Sequence, residues 1–306
     1  MMLGDLDSYM SAQDYILAAK EKDKKYGVYV ERSIIFATSQ LSNLNEALVG
    51  LGRGEYEAEI RIKNSDIINS EVSPYAFYIN SGVFNVCYRM NLSKYEFLFK
   101  DNLIKKVIAN NPVELPFSFV MHHELSHLYR AHNEVVNIDT KKPSFVKGTE
   151  MDADLLAVSQ LYRSLQNNFK NFAMDDQELR GLVLISILET LCAMNSYSQG
   201  RIYQLGVERL ADVILKISML NESIKSNIPP DVNCTSEVTR NNFKYINALL
   251  LRCKESFGKT NTISVFIDEF LVFLFSNPIK HIVNETTLSS WQQIKIHVAD
   301  VSKTKV

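Results

Sequence analysis

Over most of this chain apolar residues return every three or four positions, the period of a helix packed on one side, and only between Glu55 and Met90 do they alternate with polar ones. The alternating stretch predicts a small sheet. Its strands are Tyr56-Glu57-Ala58-Glu59-Ile60-Arg61-Ile62, Tyr75–Ile79 and Val83–Tyr88, with Asn80-Ser81-Gly82 as a tight connection between the last two. Ahead of the sheet, helical pieces span Leu6–Lys22 and Ser39–Val49, with an apolar stretch of unassigned type, Tyr26–Phe36, between them and Gly50, Gly52 and Gly54 closing the region. After Asn91 the pattern predicts helices at Lys94–Asn110, Pro116–His132, Thr149–Asn167, Asp176–Met194, Tyr203–Leu220, Ser236–Phe257 and Thr262–Phe275. The expected fold is α+β, mainly α-helical, with a small sheet preceding the helix at 116–132. Three segments are expected: an N-terminal helical one (1–54), a core (55–220) and a C-terminal helical part packed on that core (221–306). Asn227–Cys234, with Pro229 and Pro230, is the candidate domain edge or loop.

Composition narrows the class. At 306 residues the chain buries enough apolar surface to fold without disulfides or a structural metal. Its net charge of −2 offers no electrostatic footprint for nucleic acid. Cys87, Cys192, Cys234 and Cys253 form no C-x-x-C pair and read as reduced thiols. Met1–Gln13 contains Asp5 and Asp7 but no Lys or Arg, unlike a secretory leader. The longest apolar stretches, Leu182–Met194 and Val265–Phe275, are interrupted by Glu189 and by Asp268 and Glu269, and each is too short to cross a bilayer. The expectation is a cytoplasmic protein with no nucleic-acid or membrane partner.

Four of the six histidines fall between 122 and 132, and His123-Glu124-Leu125-Ser126-His127 has the form H-E-x-x-H. A spacing of four puts both imidazoles on one helical face, where they can ligate one tetrahedral Zn²⁺ while Glu124 between them reaches a water. Pro116 suits a first helical turn, and Phe117, Val120, Met121, Leu125 and Leu128 supply an apolar face. A catalytic zinc needs a third protein ligand and an open fourth position. Glu150-Met151-Asp152-Ala153-Asp154 offers one: Glu150 and Asp154 again share a face, so Glu150 can bind the metal while Asp154 accepts an imidazole N–H from a ligating histidine. If Glu150 is not the ligand, Asp152 or Asp154 replaces it. The plainer reading of these acids is a solvated first turn after a Gly148-Thr149 helix start, where the macrodipole favours negative charge.

The pair H-E-x-x-H and E-x-x-A-D-x-x-A, here His123–His127 and Glu150–Ala157, resembles the gluzincin class of zinc metallopeptidases. The nearest patterns are the CAAX-protease and HtpX type and the soluble Lit-type phage-exclusion peptidases. The resemblance covers Tyr75–Leu220 and implies a zincin-like fold. His123, His127 and Glu150 are then ligands to one Zn²⁺ per chain, Glu124 is the general base and Asp154 the acid behind the ligands. Ala76-Phe77-Tyr78-Ile79-Asn80-Ser81-Gly82-Val83-Phe84-Asn85-Val86 is similar to the A-F-x-x-x-x-G-x-x-x-V segment that forms a substrate-pairing edge strand. The chain departs from the CAAX-protease type in lacking transmembrane helices, which removes the expectation of prenylated substrates. A later family motif, His-Pro with an Arg six positions after the His, has a partial echo in Tyr203-Gln204-Leu205-Gly206-Val207-Glu208-Arg209. Tyr203 stands in place of the His and is a candidate oxyanion donor, against the default of a packed tyrosine.

The remaining histidines have plainer readings. His122 and His132 lie off the ligand pair and read as surface residues, and His281 follows Asn277-Pro278 in a loop. Asn133–Gly148, with Lys141, Lys142, Pro143 and Lys147, reads as a solvated connection. The function expected is a metalloendopeptidase acting on a protein or peptide substrate. Two other readings stand beside it: a metal-binding module that grips a protein without turnover, and a Lit-type defence peptidase switched on by an activating partner.

Overall fold

A computed structural model describes residues 9–54, 56, 59–66, 70–72, 76–110, 113–138, 143–170, 174–195, 206–221, 236–276 and 288–303. A short strand β1 (Tyr9–Ser11) leads into helix α1 (Ala12–Lys22), where Ser11 caps the first turn by accepting from the Asp14 N–H. Asp23 then starts α2 (Lys24–Gly50), accepting from the N–H groups of Lys25 and Tyr26. The unassigned stretch Tyr26–Phe36 and the predicted helix Ser39–Val49 are one continuous helix about 40 Å long. Tyr29, Val30, Ile34, Ala37, Leu41, Leu44 and Leu48 keep helical spacing throughout and form its buried side. Gly52 and Gly54 adopt positive φ in the turn that follows. From that turn Arg53 donates to the carbonyls of Leu128 and Tyr129.

The sheet holds four strands in the order β1-β2-β4-β3, with β2 at Glu59–Lys63, β3 at Ser70–Val72 and β4 at Ala76–Asn80. β1 runs antiparallel to β2, β2 parallel to β4 and β3 antiparallel to β4, with Ile60 opposite Phe77 and Ser70 opposite Ile79. The predicted strand Val83–Tyr88 is instead a helix, α3 (Ser81–Arg89), and Asn80-Ser81-Gly82 is its entry rather than a hairpin turn. The Ser81 hydroxyl accepts from Ser65 N and donates to Ser65 O, while Gly82 N also donates to Ser65 O. These bonds fasten the start of α3 to the end of β2. Ala76–Val86 is therefore not an edge strand: β4 is paired on both sides and the rest is helix.

A 3₁₀ stretch (Leu92–Leu98) and α4 (Asn102–Asn110) replace the single helix expected at 94–110. The break is held by Glu178, whose carboxylate accepts from the N–H groups of Lys100 and Asp101. Then come α5 (Glu114–Tyr129), α6 (His132–Ile138), α7 (Pro143–Asn168), α8 (Asp176–Asn195), α9 (Gly206–Met219), α10 (Glu237–Phe257), α11 (Thr262–Ser276) and α12 (Leu288–Ser302). The expected loop 133–148 is thus largely helical, and Thr149 lies inside α7 rather than at its start. Gly148 serves packing: a Cβ there would meet Ser290 O of α12 at 2.9 Å. α12 has no counterpart in the expected helices, although Trp291, Ile294 and Val298 carry the spacing of one.

Three apolar clusters result. The largest lies among α4, α7, α8, α9, α10 and α11. The second joins the sheet to α1, α2 and α3, and the third locks α12 onto α6 and the first half of α7. α5 lies between the first two: Phe117, Val120, Met121 and Leu125 face the sheet side, and Leu115 and Phe119 the helical side. A helix apolar on nearly all sides is a buried one, and this is the helix that carries H-E-x-x-H. No helix among the described residues is long and apolar enough to cross a membrane.

Candidate metal centre

α5 and α7 pack along one another and bring the two sequence motifs together. His123, His127 and Glu150 each offer a ligand atom, and the three atoms lie within 4.8 Å of one another. His123 Nε2 is 3.5 Å and His127 Nε2 3.6 Å from the two Glu150 carboxylate oxygens, and the two Nε2 atoms are 3.1 Å apart. Glu150 sits two turns inside α7, so helix-start electrostatics does not account for it.

Behind His123 stands Asp154. Its Oδ1 lies 2.8 Å from His123 Nδ1, and a carboxylate only accepts, so Nδ1 carries the proton of that contact and Nε2 is the nitrogen turned toward Glu150. Arg209 of α9 donates to both Asp154 oxygens, each at 2.7 Å. Burial opposes charge on all three, yet each outcome favours the ions. The Arg209 guanidinium holds Asp154 below the usual carboxylate range, and Asp154 in turn raises Arg209. His123, despite burial, is raised to about 10 by Asp154 and Glu150. His127 is pushed well below its ordinary value, first by burial and then by its histidine neighbours, and Glu150, against burial, is lowered by the two histidines. The pocket among these three residues therefore already stabilises one cation. Two imidazole nitrogens and a carboxylate are the donor set of a zinc-type ion, so the residues present fit a divalent metal.

Glu124 lies beside this group, partly buried, and burial pushes its carboxyl up to about 7 while His123, Ser70 and Arg209 pull it down. Ser70 belongs to β3, which packs against α5 and pairs only with β4 among the described residues, so an unpaired strand edge borders Glu124. Tyr203, the candidate oxyanion donor, lies outside the described residues, as do His281 and the segment Asn227–Cys234.

Two histidines expected at the surface are buried. His122 is 8% exposed, edge-on to Phe36 with ring centroids 5.9 Å apart, and burial holds it down to about 4. His132 is 1% exposed and meets His127 and Asp152. Reading 116–132 as one helix hides this contact, because five residues of continuous helix would turn His132 about 140° away from His127. The chain leaves α5 after Tyr129, Ala131 takes a left-handed conformation with φ of 55°, and α6 begins at His132. Arg209 also acquires a definite place; in the sequence it figures only as the Arg six positions after Tyr203, within the fourteen-residue run of helical period that carries it, and its contact with Asp154 is supplied by the packing of α9.

The model of the Peptidase U49 family matches residues 92–227, a span that contains α5, α7 and Arg209. The match supports a peptidase, hence a hydrolase whose substrate is a protein or peptide. No curated protein and no solved structure matches the chain.

Proposed function

We propose that the chain is a zinc-dependent endopeptidase that holds one Zn²⁺ on His123, His127 and Glu150 and uses Glu124 as the general base. The observation that carries this reading is the convergence of those three ligand atoms within 4.8 Å, with a carboxyl raised to about 7 beside them. When bound, the ion supplies a Lewis acid that polarises the scissile carbonyl and acidifies a water. Glu124 takes a proton from the attacking water and later passes it to the leaving amine; a value near neutrality lets one carboxyl do both. Asp154, clasped by Arg209, holds His123 with Nε2 toward the site. The edge of β3, unpaired among the described residues, offers main-chain hydrogen bonds to an extended substrate segment passing Glu124. A metal site that serves only structure is usually closed by a fourth Cys or His; among the described residues this group has three members, with a carboxyl raised to about 7 beside them, which supports turnover over mere gripping.

The test is metal content by elemental mass spectrometry on folded wild type, His123→Ala, Glu150→Ala and Glu124→Gln. About one zinc in wild type and Glu124→Gln, with loss in the other two, is expected. Glu124→Gln should also lose ~10²–10⁴-fold in hydrolysis while retaining peptide substrate. Folded wild type that takes up no zinc would end this reading.

A further inference from the structure

His132 is the one member of the histidine cluster that meets the site without being a ligand. Its Nε2 lies 3.0 Å from Asp152 Oδ2 and its Nδ1 2.9 Å from His127 Nδ1, so three side chains stand in series behind the second ligand. Asp152 is paired with Arg130, which is 0% exposed, at 3.3 Å. As a carboxylate it has acceptors only, so His132 Nε2 must carry the proton of that contact. A neutral imidazole protonated at Nε2 offers a lone pair at Nδ1, and the hydrogen bond to His127 then requires His127 Nδ1 to donate. That leaves the His127 lone pair on Nε2, the atom that faces His123 and Glu150. Which nitrogen of an imidazole is protonated is set by the bond the other makes.

We propose that His132 is a positioning residue that, with Asp152, locks His127 in the Nδ1–H tautomer and so keeps its Nε2 available as a ligand. This rests on the reading that His127 binds metal through Nε2. The turn at Ala131 is the device that makes it possible, because it folds α6 back so that the residue five places after His127 returns to its far side. Each ligand imidazole thereby ends in a buried carboxylate of α7: His123 directly in Asp154, His127 through His132 in Asp152.

Two measurements test it. Long-range ¹H–¹⁵N correlation spectra of metal-free wild type, with labelled histidine, should show His127 protonated at Nδ1 and His132 at Nε2. The reverse assignment overturns the proposal, and this arm needs no variant to fold. Zinc affinity by chelator competition is then compared among wild type, His132→Leu and His132→Gln. Leu cannot accept and should weaken binding ~10–100-fold. Gln can accept through Oε1 while donating its amide N–H to Asp152, and should stay within a few-fold of wild type. No weakening in His132→Leu, or equal weakening in both variants, overturns the proposal in favour of simple packing. Wild type that binds no zinc instead removes the metal reading beneath it, while the spectra still report whether the hydrogen bonds run as stated.

Discussion

The two imidazoles at the centre are held in different ways. His123 meets its carboxylate directly, and Asp154 is gripped in turn by Nε and Nη2 of Arg209. His127 meets another imidazole first, and the carboxylate behind that, Asp152, is shared with Arg130 and feels the charge of Lys216. Helix α9 serves both supports, since Arg209 and Lys216 lie seven residues apart on one of its faces. The direct support depends on regular helices packed together, α5 on α7 with Arg209 of α9 behind them. The relayed one depends on a left-handed residue at Ala131, a backbone feature that no side-chain spacing encodes. A direct carboxylate contact resists small shifts in the backbone; a relay through a second ring requires that backbone to be right.

The comparison can be strained from each side. The largest effect is expected from Asp154→Ala, which deprives Arg209, only 6% exposed, of its carboxylate. Breaking one partner of such a buried pair costs ~3–5 kcal/mol of stability, read by denaturant unfolding of the metal-free protein. A loss below about 1 kcal/mol would mean that the direct support is not the stiffer of the two.

Lys216→Met tests the relayed side through pH. Burial pushes the Lys216 ammonium down to about 8, with Asp152 opposing, so carrying that charge penalises the fold below about 8. Between about 8 and the ordinary value of 10.5 the folded protein sheds the proton before the unfolded chain does, and wild-type stability rises with pH. Lys216→Met should therefore be more stable than wild type by roughly 2–3 kcal/mol at neutral pH, with the advantage vanishing above about 10.5. A pH-independent difference would show that the ammonium carries no burial penalty.

The smallest effect expected is that of Ala131→Val. A β-branched residue in the left-handed region costs about 1–3 kcal/mol. The loss should be accompanied by displacement of His132 while the His123 resonances stay in place, read by the same labelled-histidine spectra. Coincident movement of both histidines would merge the two supports into one.

Much of this architecture is legible in the chain. The long helices announce themselves because their apolar residues recur over several turns, and His123, His127 and Glu150 lie together as the two motifs imply. Val83–Tyr88 misleads because six residues rich in β-branched and aromatic side chains fit either period, and the choice is made by tertiary contact: Val83, Phe84 and Cys87 bury one helical face against the sheet cluster. Tyr26–Phe36 is ambiguous for the same reason until the following turns extend its spacing. The helix start expected at Gly148 fails because glycine there reflects the nearness of α12 rather than the end of a helix. The contact of His132 is hidden for a further reason, a turn that has no glycine to mark it, and Arg209, marked in the chain only as the Arg six positions after Tyr203, meets a partner fifty-five residues away.

The order β1-β2-β4-β3 carries one more implication. β3 precedes β4 in the chain, yet Ala76–Asn80 occupies the slot between β2 and β3. Without β4, β3 would have no hydrogen-bonded neighbour among the described residues, and the wall beside Glu124 would be lost. A molecule with α5 and α7 packed but the slot empty would carry all three proposed ligands and have nothing on which to lay a peptide. On the proposed reading, ion capture and substrate capture are therefore separable in one chain, joined by a keystone of five residues.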